Sequence, residues 1–298
     1  MDLVLTLITA PNSGALTCDM IEAATATLAQ AGADVGDLRW LAQDEACEIV
    51  FNGVTLQHAD QALEKCNIDA DKVVQPVAGR AKKLLIADMD STVVTGETLD
   101  ELADFAGVKD RVAAITARAM NGELDFEAAL DERVGLLAGM ATAMLDEAWK
   151  RIEYTGGARE LVATMRANGA FAALVSGGFD FFTSAVRREL GFDFDQANVL
   201  LTHADNTLTG KVQKPVLDRQ AKVDALETLA AQNGITADDA IAVGDGANDL
   251  QMISVAGTGV AFRAKPSVQK QARIRINHGD LTALLYLQGY SRDQFVGA

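Results

Sequence analysis

Two aspartates separated by one residue, Asp88 and Asp90, follow a short apolar run and could share one chemical site. The run, Leu-Leu-Ile-Ala over residues 84–87, predicts a buried strand of a parallel sheet. Side chains at positions i and i+2 of an extended chain point to the same side, and ligands of parallel sheets bind beyond the carboxyl ends of the strands. A solvated Asp-x-Asp turn would contain the same residues, so the pair alone leaves both interpretations open.

Three further polar clusters occur later in the chain, at predicted strand ends or on a helix after the sheet. Each has an ordinary explanation by itself, namely a turn that enters a helix, a solvated lysine and a tight turn. Together with the first pair, in this order around a parallel sheet, they favour a functional site. The clusters are Ser176-Gly177 after a strand at 171–175, Lys222 in an amphipathic helix at 217–231, and Asp245, Asn248 and Asp249 after a strand at 240–243.

These residue types are suited to phosphoryl transfer. Asp88 and Asp245 supply the hard oxygen ligands that Mg²⁺ prefers. The Ser176 hydroxyl, the Gly177 amide and the charge of Lys222 could hold phosphate oxygens. Neither a Ser-His-Asp nor a Cys-His arrangement is evident in the sequence, so we expect the nucleophile to be a carboxylate.

Strands that alternate with helices from residue 79 onward, with further strands at 198–202 and 257–262, predict an α/β fold with a doubly wound parallel sheet. A helical stretch at about 99–151, broken at Asn121-Gly122, interrupts this pattern after its first strand, which predicts a helical cap over the carboxyl edge of the sheet. Residues 1–78 show the order β-α-β-β-α-β of a ferredoxin-like α+β domain. We therefore predict one domain at 1–78 and a second at 79–298, joined through a small basic connector.

The formal net charge of −16 over 298 residues argues against binding to nucleic acid or to anionic membranes, since both need basic patches. It also means that a phosphate site needs local cations, a metal or helix N-termini. Cys18, Cys47 and Cys66 are odd in number and lack CxxC spacing, which indicates a reducing cytoplasm rather than a disulfide framework or a zinc site. No apolar run approaches the about 18 residues of a membrane helix. We expect a soluble, cytoplasmic protein.

The four clusters resemble the four motifs of the haloacid dehalogenase superfamily of phosphohydrolases. The match is closer to the phosphoserine phosphatase family within it, through the run from Asp88 to Thr98 and a cap segment. That segment reads Ala119-Met120-Asn121-Gly122 and continues through Phe126 to Arg133-Val134. The resemblance covers about residues 84–276, and it implies a parallel-sheet core with an inserted helical cap. Residues 1–78 are similar in layout to the ACT-like N-terminal domains of some bacterial members.

The resemblance implies that Asp88 is the nucleophile and forms an aspartyl-phosphate intermediate. Asp90 is then expected to protonate the leaving oxygen and later to deprotonate the hydrolytic water, which requires a raised pKa. By the same analogy Asp88, the Asp90 backbone carbonyl and Asp245 hold Mg²⁺. Asp249 supports the metal shell, and Asn248 contacts the phosphate or a nearby substrate group.

The resemblance also implies that Glu97 and Arg133 select the substrate. O-phospho-L-serine carries an ammonium for a glutamate and a carboxylate for a bidentate arginine. Two alternatives remain, in which Glu97 is only an N-terminal helix charge and Arg133 only a partner of Glu132 or Glu127. The implied reaction is the Mg²⁺-dependent release of L-serine, the last step of serine biosynthesis. A related phosphatase for phosphothreonine or phosphohomoserine is the alternative.

A hypothesis of a different class is a regulatory binding protein whose phosphatase core is vestigial. All the motif residues are present in the sequence, which argues against it. A milder form is that residues 1–78 bind an amino-acid effector or build a homodimer while the core remains active.

Overall fold

Residues 2–77 form a four-stranded antiparallel sheet with two helices on one face. The structure is a computed structural model that describes residues 2–120 and 123–297. The elements of this first part are β1 Leu3–Ile8, α1 Cys18–Gln30, β2 Asp34–Ala42, β3 Ala46–Asn52, α2 Leu56–Glu64 and β4 Asp71–Pro76. The strand order is β2–β3–β1–β4. Thr17 and Thr55 cap the two helices through their side-chain oxygens, and the predicted ferredoxin-like order is confirmed.

A six-stranded parallel sheet forms the second part of the chain and carries the predicted strand-end clusters. Its strands lie in the order β12–β11–β10–β5–β6–β7, while β8 and β9 form a separate antiparallel hairpin. The strands are β5 Leu84–Ala87, β6 Phe171–Phe179, β7 Phe194–Asn198, β8 Leu200–Thr202, β9 Leu208–Val212, β10 Ala240–Gly244, β11 Thr258–Phe262 and β12 Ile274–Ile276.

Helices cover both faces of this sheet, as expected for a doubly wound fold. Alternate residues of β5 point to opposite faces, so Leu85 and Leu84 belong to separate apolar clusters. The helices are α3 Thr98–Phe105, α4 Lys109–Met120, α5 Phe126–Gly135, α6 Ala143–Trp149, α7 Ala158–Ala167, α8 Asp180–Leu190, α9 Arg219–Gln232, α10 Leu250–Val255, α11 Pro266–Gln269 and α12 Ala283–Leu287. Among the described residues, no helix combines the length and the apolar character needed to cross a bilayer.

Helices α3 to α6 lie between β5 and β6 in the chain, which confirms the predicted cap. Asn121-Gly122, predicted as a break between cap helices, lie outside the described residues. The loop between α5 and α6 is hydrogen-bonded to the β8–β9 hairpin. Gly139 N donates to Leu208 O at 2.9 Å, and Leu208 N donates to Met140 O at 2.8 Å. The cap is therefore fastened to the core by backbone bonds as well as by its chain connections.

The strand predicted at Asn198–Thr202 is wrong in its bounds. The edge strand β7 ends at Asn198, and residues 200–202 belong to the hairpin instead. The physical reason is that β7, Phe-Asp-Gln-Ala-Asn, is an edge strand and lacks the apolar run of a central strand. Strand β6 is also longer than predicted, because it continues through Ser176-Gly177-Gly178 to Phe179 with a shift of register against β7.

The two parts of the chain contact each other through buried acidic side chains. The Asp71 carboxylate, at the start of β4, accepts hydrogen bonds from the backbone N–H groups of Asn277, His278 and Gly279 at 2.7–3.2 Å. The Glu45 carboxylate accepts from Tyr286 Oη at 2.8 Å and from Arg292 Nη1 at 2.7 Å. Both carboxylates are buried, so these bonds lie inside the contact between the two parts of the chain.

Replacing Asp71 should destabilise the whole chain, because three backbone N–H donors would lose a buried charged acceptor. We expect Asp71→Ala to lower the free energy of unfolding by about 3 kcal/mol, the upper range for hydrogen bonds to charged groups. Urea titration followed by circular dichroism measures the change. Asp69→Ala is the matched control, because its side chain is 95% exposed, and it should shift stability by less than about 0.5 kcal/mol. Equal losses in the two variants would contradict the assigned role of Asp71.

Candidate active site

The strand order brings the predicted clusters to one edge of the parallel sheet. Strand β5 lies between β6 and β10, so Asp88 after β5 has Ser176 on one side and Asp245 on the other. Asp88 N donates to Val243 O at 3.0 Å, which fixes the start of the first motif against β10. Parallel strands place their carboxyl ends together, and this explains why clusters distant in sequence converge.

Lys222 is the link between two of these clusters. Its Nζ lies 2.5 Å from Asp88 Oδ1 and 2.6 Å from Asp249 Oδ1, and its side chain is 1% exposed. Burial alone would lower the pKa of the Lys222 ammonium, but the Asp249 and Asp88 carboxylates outweigh burial and raise it. The alternative of a solvated surface lysine is therefore wrong. A charged lysine lies between the first and the last motif.

Three buried carboxylates form a group that fits a divalent cation. Oxygen atoms of Asp88, Asp245 and Asp249 lie within 4.8 Å of one another. Lys222 offsets only part of their negative charge, and burial together with the Asp249 carboxylate raises the pKa of Asp88. Hard oxygen donors with an excess of negative charge are the donor set that Mg²⁺ or a similar ion prefers. The Asp249 carboxylate, expected in a supporting place, lies as near to this group as the other two.

Asp90 lies beside this group, with both oxygens in fixed surroundings. Its Oδ1 accepts a hydrogen bond from the backbone N–H of Thr98 at 2.9 Å. A Cβ atom on Gly178 would lie 2.6 Å from Asp90 Oδ2, so only glycine leaves room for the carboxylate there. Burial and then the Glu97 charge raise the pKa of Asp90 to about 7. The raised pKa matches the expected direction, but burial rather than the neighbouring Asp88 is its main cause.

The Ser176-Gly177-Gly178 segment at the end of β6 is held by hydrogen bonds that could not be predicted from the sequence. Ser176 Oγ accepts from the Gly178 N–H at 2.9 Å, and Asn198 Nδ2 donates to Gly177 O at 2.9 Å. Asn198 Oδ1 also accepts from Leu217 N at 2.7 Å, next to the helix of Lys222. Asn198 is a site residue that was not predicted from the sequence, although its position as a polar residue at a predicted strand boundary is a usable signal.

The last motif folds back on Asp249. Gly246 N donates to Asp249 Oδ2 at 2.9 Å, while Asp249 Oδ1 faces Lys222. Asn248 is half-buried, and its Nδ2 lies 3.5 Å from Asp249 Oδ1. Gly246 of the motif and Lys222 of α9 thus hold the Asp249 carboxylate from its two oxygens, while Asn248 is more exposed than Asp249.

Glu97 and Arg133 come from the cap side of the site. Ser91 Oγ donates to Glu97 Oε1 at 2.9 Å, and Ser91 has a left-handed backbone with φ of 57°. Glu97 precedes α3 and makes no side-chain cap bond to that helix. Arg133 is half-buried, and its Nε donates to Ala129 O at 3.1 Å. Burial lowers the pKa of Arg133, whereas the Glu97 charge raises it, so the two side chains act on each other electrostatically.

The alternative partners of Arg133 are bound elsewhere. Glu132 pairs with Arg118 at 2.8 Å, and Glu127 pairs with Lys214 at 2.7 Å. Arg133 therefore keeps guanidinium nitrogens for other acceptors, as a carboxylate-binding arginine requires.

Phe126, from the cap, and Lys265 also lie at the site. A Cβ atom on Gly177 would lie 3.4 Å from the Phe126 ring, which is 37% exposed, so this cap residue faces the end of β6. Lys265 Nζ lies 3.5 Å from Asp245 Oδ2. Lys265 was not predicted as a site residue, although it follows the predicted strand at 257–262 and so belongs to the same sheet edge.

Known proteins resemble this chain over most of its length. The sequence pattern of the haloacid dehalogenase-like hydrolases matches residues 85–254. The chain is 38% identical over 289 residues to the phosphoserine phosphatase of Streptomyces coelicolor, covering 95% of this chain and 70% of that protein. It is 40% identical over 242 residues to phosphoserine phosphatase SerB2 of Mycobacterium tuberculosis, covering 81% of this chain. That alignment spans 57% of the mycobacterial protein, which is less than two thirds of its length.

A solved structure agrees with these sequence matches. The crystal structure of a probable phosphoserine phosphatase from Vibrio cholerae, in unliganded form, superposes with a TM-score of 0.78 at 30% identity. The superposition covers 97% of this chain and 86% of that chain.

Replacing Lys222 should make the stability of the fold depend on a divalent cation. In a chelator, we expect Lys222→Met to lose about 3–5 kcal/mol, because buried carboxylates remain without their counter-ion. Added Mg²⁺ should recover more stability in the variant than in the wild type, since the ion takes over the lost positive charge. Thermal unfolding with and without Mg²⁺ measures both effects. Arg219→Met, an exposed change in the same helix, is the control, and a variant insensitive to Mg²⁺ would refute this role.

Proposed function

The chain belongs to the phosphoserine phosphatases of the haloacid dehalogenase-like hydrolase family, and we propose that it hydrolyses O-phospho-L-serine to L-serine and inorganic phosphate. It is a phosphatase, a hydrolase of phosphoric monoesters. The observation that carries the proposed mechanism is the buried contact of Lys222 with Asp88 and Asp249 at the carboxyl edge of the sheet. This contact holds the Asp88 carboxylate and the Lys222 ammonium close together, so a bound phosphate group could contact both.

Asp88 is the nucleophile of the proposed reaction. One of its carboxylate oxygens attacks phosphorus, and the bond between phosphorus and the serine oxygen breaks. In this proposal Lys222, the Ser176 hydroxyl and the Gly177 N–H bind the phosphate oxygens and stabilise the charge of the transition state. Water then hydrolyses the aspartyl phosphate and returns Asp88 to its starting form.

Asp90 is the acid and the base. With a pKa of about 7 it holds a proton for a substantial part of the time at neutral pH and can give it to the departing serine oxygen. The resulting carboxylate then takes a proton from the attacking water. The Thr98 N–H and the absence of a side chain at Gly178 keep its oxygens oriented during both steps.

The cation of the proposal is Mg²⁺, for which the donor set is suitable. Asp88, Asp245 and Asp249 would hold it, and the Asp90 backbone carbonyl remains a predicted further ligand. When bound, Mg²⁺ would neutralise phosphate charge and keep Asp88 ionised. The net charge of −16 makes local positive charge necessary for an anionic substrate.

Glu97 and Arg133 set the specificity for a phosphorylated amino acid. In this proposal Glu97, before α3, accepts the substrate ammonium, and Arg133, in α5, binds the substrate carboxylate. The Phe126 ring next to Gly177 would limit access of water to the phosphate. Asn248 would contact the phosphate or a nearby substrate group.

The remaining parts of the proposal concern setting and organisation. The reaction is the last step of serine biosynthesis and takes place in the cytoplasm, which suits the unpaired cysteines. Residues 1–78 and 79–298 are proposed as the two domains. An ACT-like role for the first, in effector binding or in dimer formation, stays a prediction.

Asp88→Asn tests the nucleophile. We expect phosphate release from phosphoserine to fall by about 10⁴-fold, since an amide oxygen cannot form the acyl phosphate at a useful rate. A phosphate-release assay with Mg²⁺ measures turnover, and thermal unfolding shows whether the variant is folded. Asp69→Asn, at an exposed position, should keep wild-type activity. Full phosphate release by Asp88→Asn would mean that another group attacks phosphorus.

Arg133→Ala tests the substrate carboxylate contact. We expect kcat/KM for phosphoserine to fall about 100-fold, the effect of losing charge-assisted hydrogen bonds of about 2–3 kcal/mol. For phosphoethanolamine, which lacks the carboxylate, the same variant should change kcat/KM by less than about threefold. Arg118→Ala, which alters a cap arginine paired with Glu132, is the control.

The same assay on the wild type separates phosphoserine from its rivals. We expect phosphothreonine and phosphohomoserine to have lower kcat/KM values than phosphoserine. Parity, or a better rival, would contradict the serine assignment while leaving the phosphatase chemistry intact.

A further inference from the structure

Lys265 occupies a place at the sheet edge that the proposed mechanism does not use. It follows β11, the neighbour of β10, and Asp245 follows β10. The backbone N–H of Lys265 donates to Asp245 O at 3.1 Å, and Pro266 begins α11 immediately after it. The backbone of Lys265 is therefore held against the residue whose carboxylate belongs to the acidic group.

The side chain of Lys265 reaches the same carboxylate from the solvent side. Its Nζ lies 3.5 Å from Asp245 Oδ2, and its side chain is 54% exposed, compared with 9% for Asp245. Burial would lower the pKa of the Lys265 ammonium, but the Asp245 and Glu97 charges outweigh burial and raise it. The ammonium thus contacts one proposed ligand of the cation.

Lys222 and Lys265 differ in their freedom to move. Lys222 is enclosed, and short contacts to Asp88 and Asp249 hold it. Lys265 has one longer contact, an exposed side chain and several rotatable bonds beyond a fixed backbone. A lysine of this kind can leave Asp245 without disturbing the fold, whereas Lys222 cannot.

We infer, on the basis of the proposed function, that Lys265 is a positioning residue. Its ammonium contacts the Asp245 carboxylate in the cation-free enzyme and moves away when the divalent cation binds there. The lysine lowers the repulsion among the acids while the cation is absent. Its positive charge opposes a second cation at the same carboxylate, so it weakens cation binding and thereby sets the Mg²⁺ concentration at which the site fills.

The test compares Mg²⁺ affinity in three variants of the full chain. Isothermal titration with MgCl₂, without substrate and at low salt, gives the Kd. We expect Lys265→Met to bind Mg²⁺ about tenfold more tightly than the wild type, and Lys265→Arg, which keeps the charge, to stay within about twofold. The gain should shrink in 0.5 M KCl, because screening weakens an exposed charge. Lys270→Met, an exposed lysine just after α11, should leave the Kd unchanged.

An activity measurement adds a second, independent readout. In Lys265→Met, the Mg²⁺ concentration for half-maximal phosphatase activity should fall, while kcat at saturating Mg²⁺ stays near the wild-type value. An unchanged or weaker Mg²⁺ affinity in Lys265→Met would overturn the inference, as would an equal gain in Lys270→Met. Because the titration contains no phosphoserine, its result does not depend on the substrate assignment. Failure of the substrate panel and failure of this inference can therefore be told apart.

Discussion

The contact of the Lys222 ammonium with Asp88 and Asp249 is the constraint on which the rest of the site depends. Ions of either sign are costly to bury, and each is tolerable here only because the others are present. The lysine comes from a helix and the two acids come from different strand ends, so their meeting requires the whole sheet with its helices. A fold that misplaced any one of these elements would leave an unpaired charge in its interior. The contacts that build the candidate active site are consequently also contacts that the folding of this sheet edge requires.

That constraint leaves the negative charge of the site only partly balanced. Three carboxylates against one enclosed lysine make a site that suits a divalent cation. Asp90 is buried as well, but its carboxylate accepts a hydrogen bond from a backbone N–H instead of contacting a lysine. Burial raises the pKa of both Asp88 and Asp90, and the Lys222 ammonium in contact with Asp88 opposes that rise. In the proposed reaction the lysine therefore favours the ionised form of Asp88 for attack, while Asp90 can carry the proton.

Much of this could be predicted from the sequence, because strand-end position is a local property. Apolar runs followed by Asp88, Ser176 and Asp245 were enough to predict a parallel sheet with its polar residues on one edge. Features that depend on partners distant in the chain were not predicted. Asn198 links the Ser176 segment to the start of the helix of Lys222, and the place of Lys265 at the site follows from a side-chain contact that sequence spacing does not reveal. The bounds of β7 were missed because an edge strand needs few apolar residues.

The bonds from Asp71 and Glu45 have a consequence for how such chains can change over evolutionary time. Asp71, in β4, and Glu45, in the turn before β3, each bind groups more than 200 residues later, at 277–279 and at Arg292. The two parts of the chain should therefore change together in evolution. An N-terminal domain exchanged between relatives should be tolerated only if it carries an acid at both positions. Recombination between relatives should succeed at joints that transfer both partners together. The connector near residue 80 resembles a domain boundary in the sequence, yet a recombination joint there would separate these bonded partners.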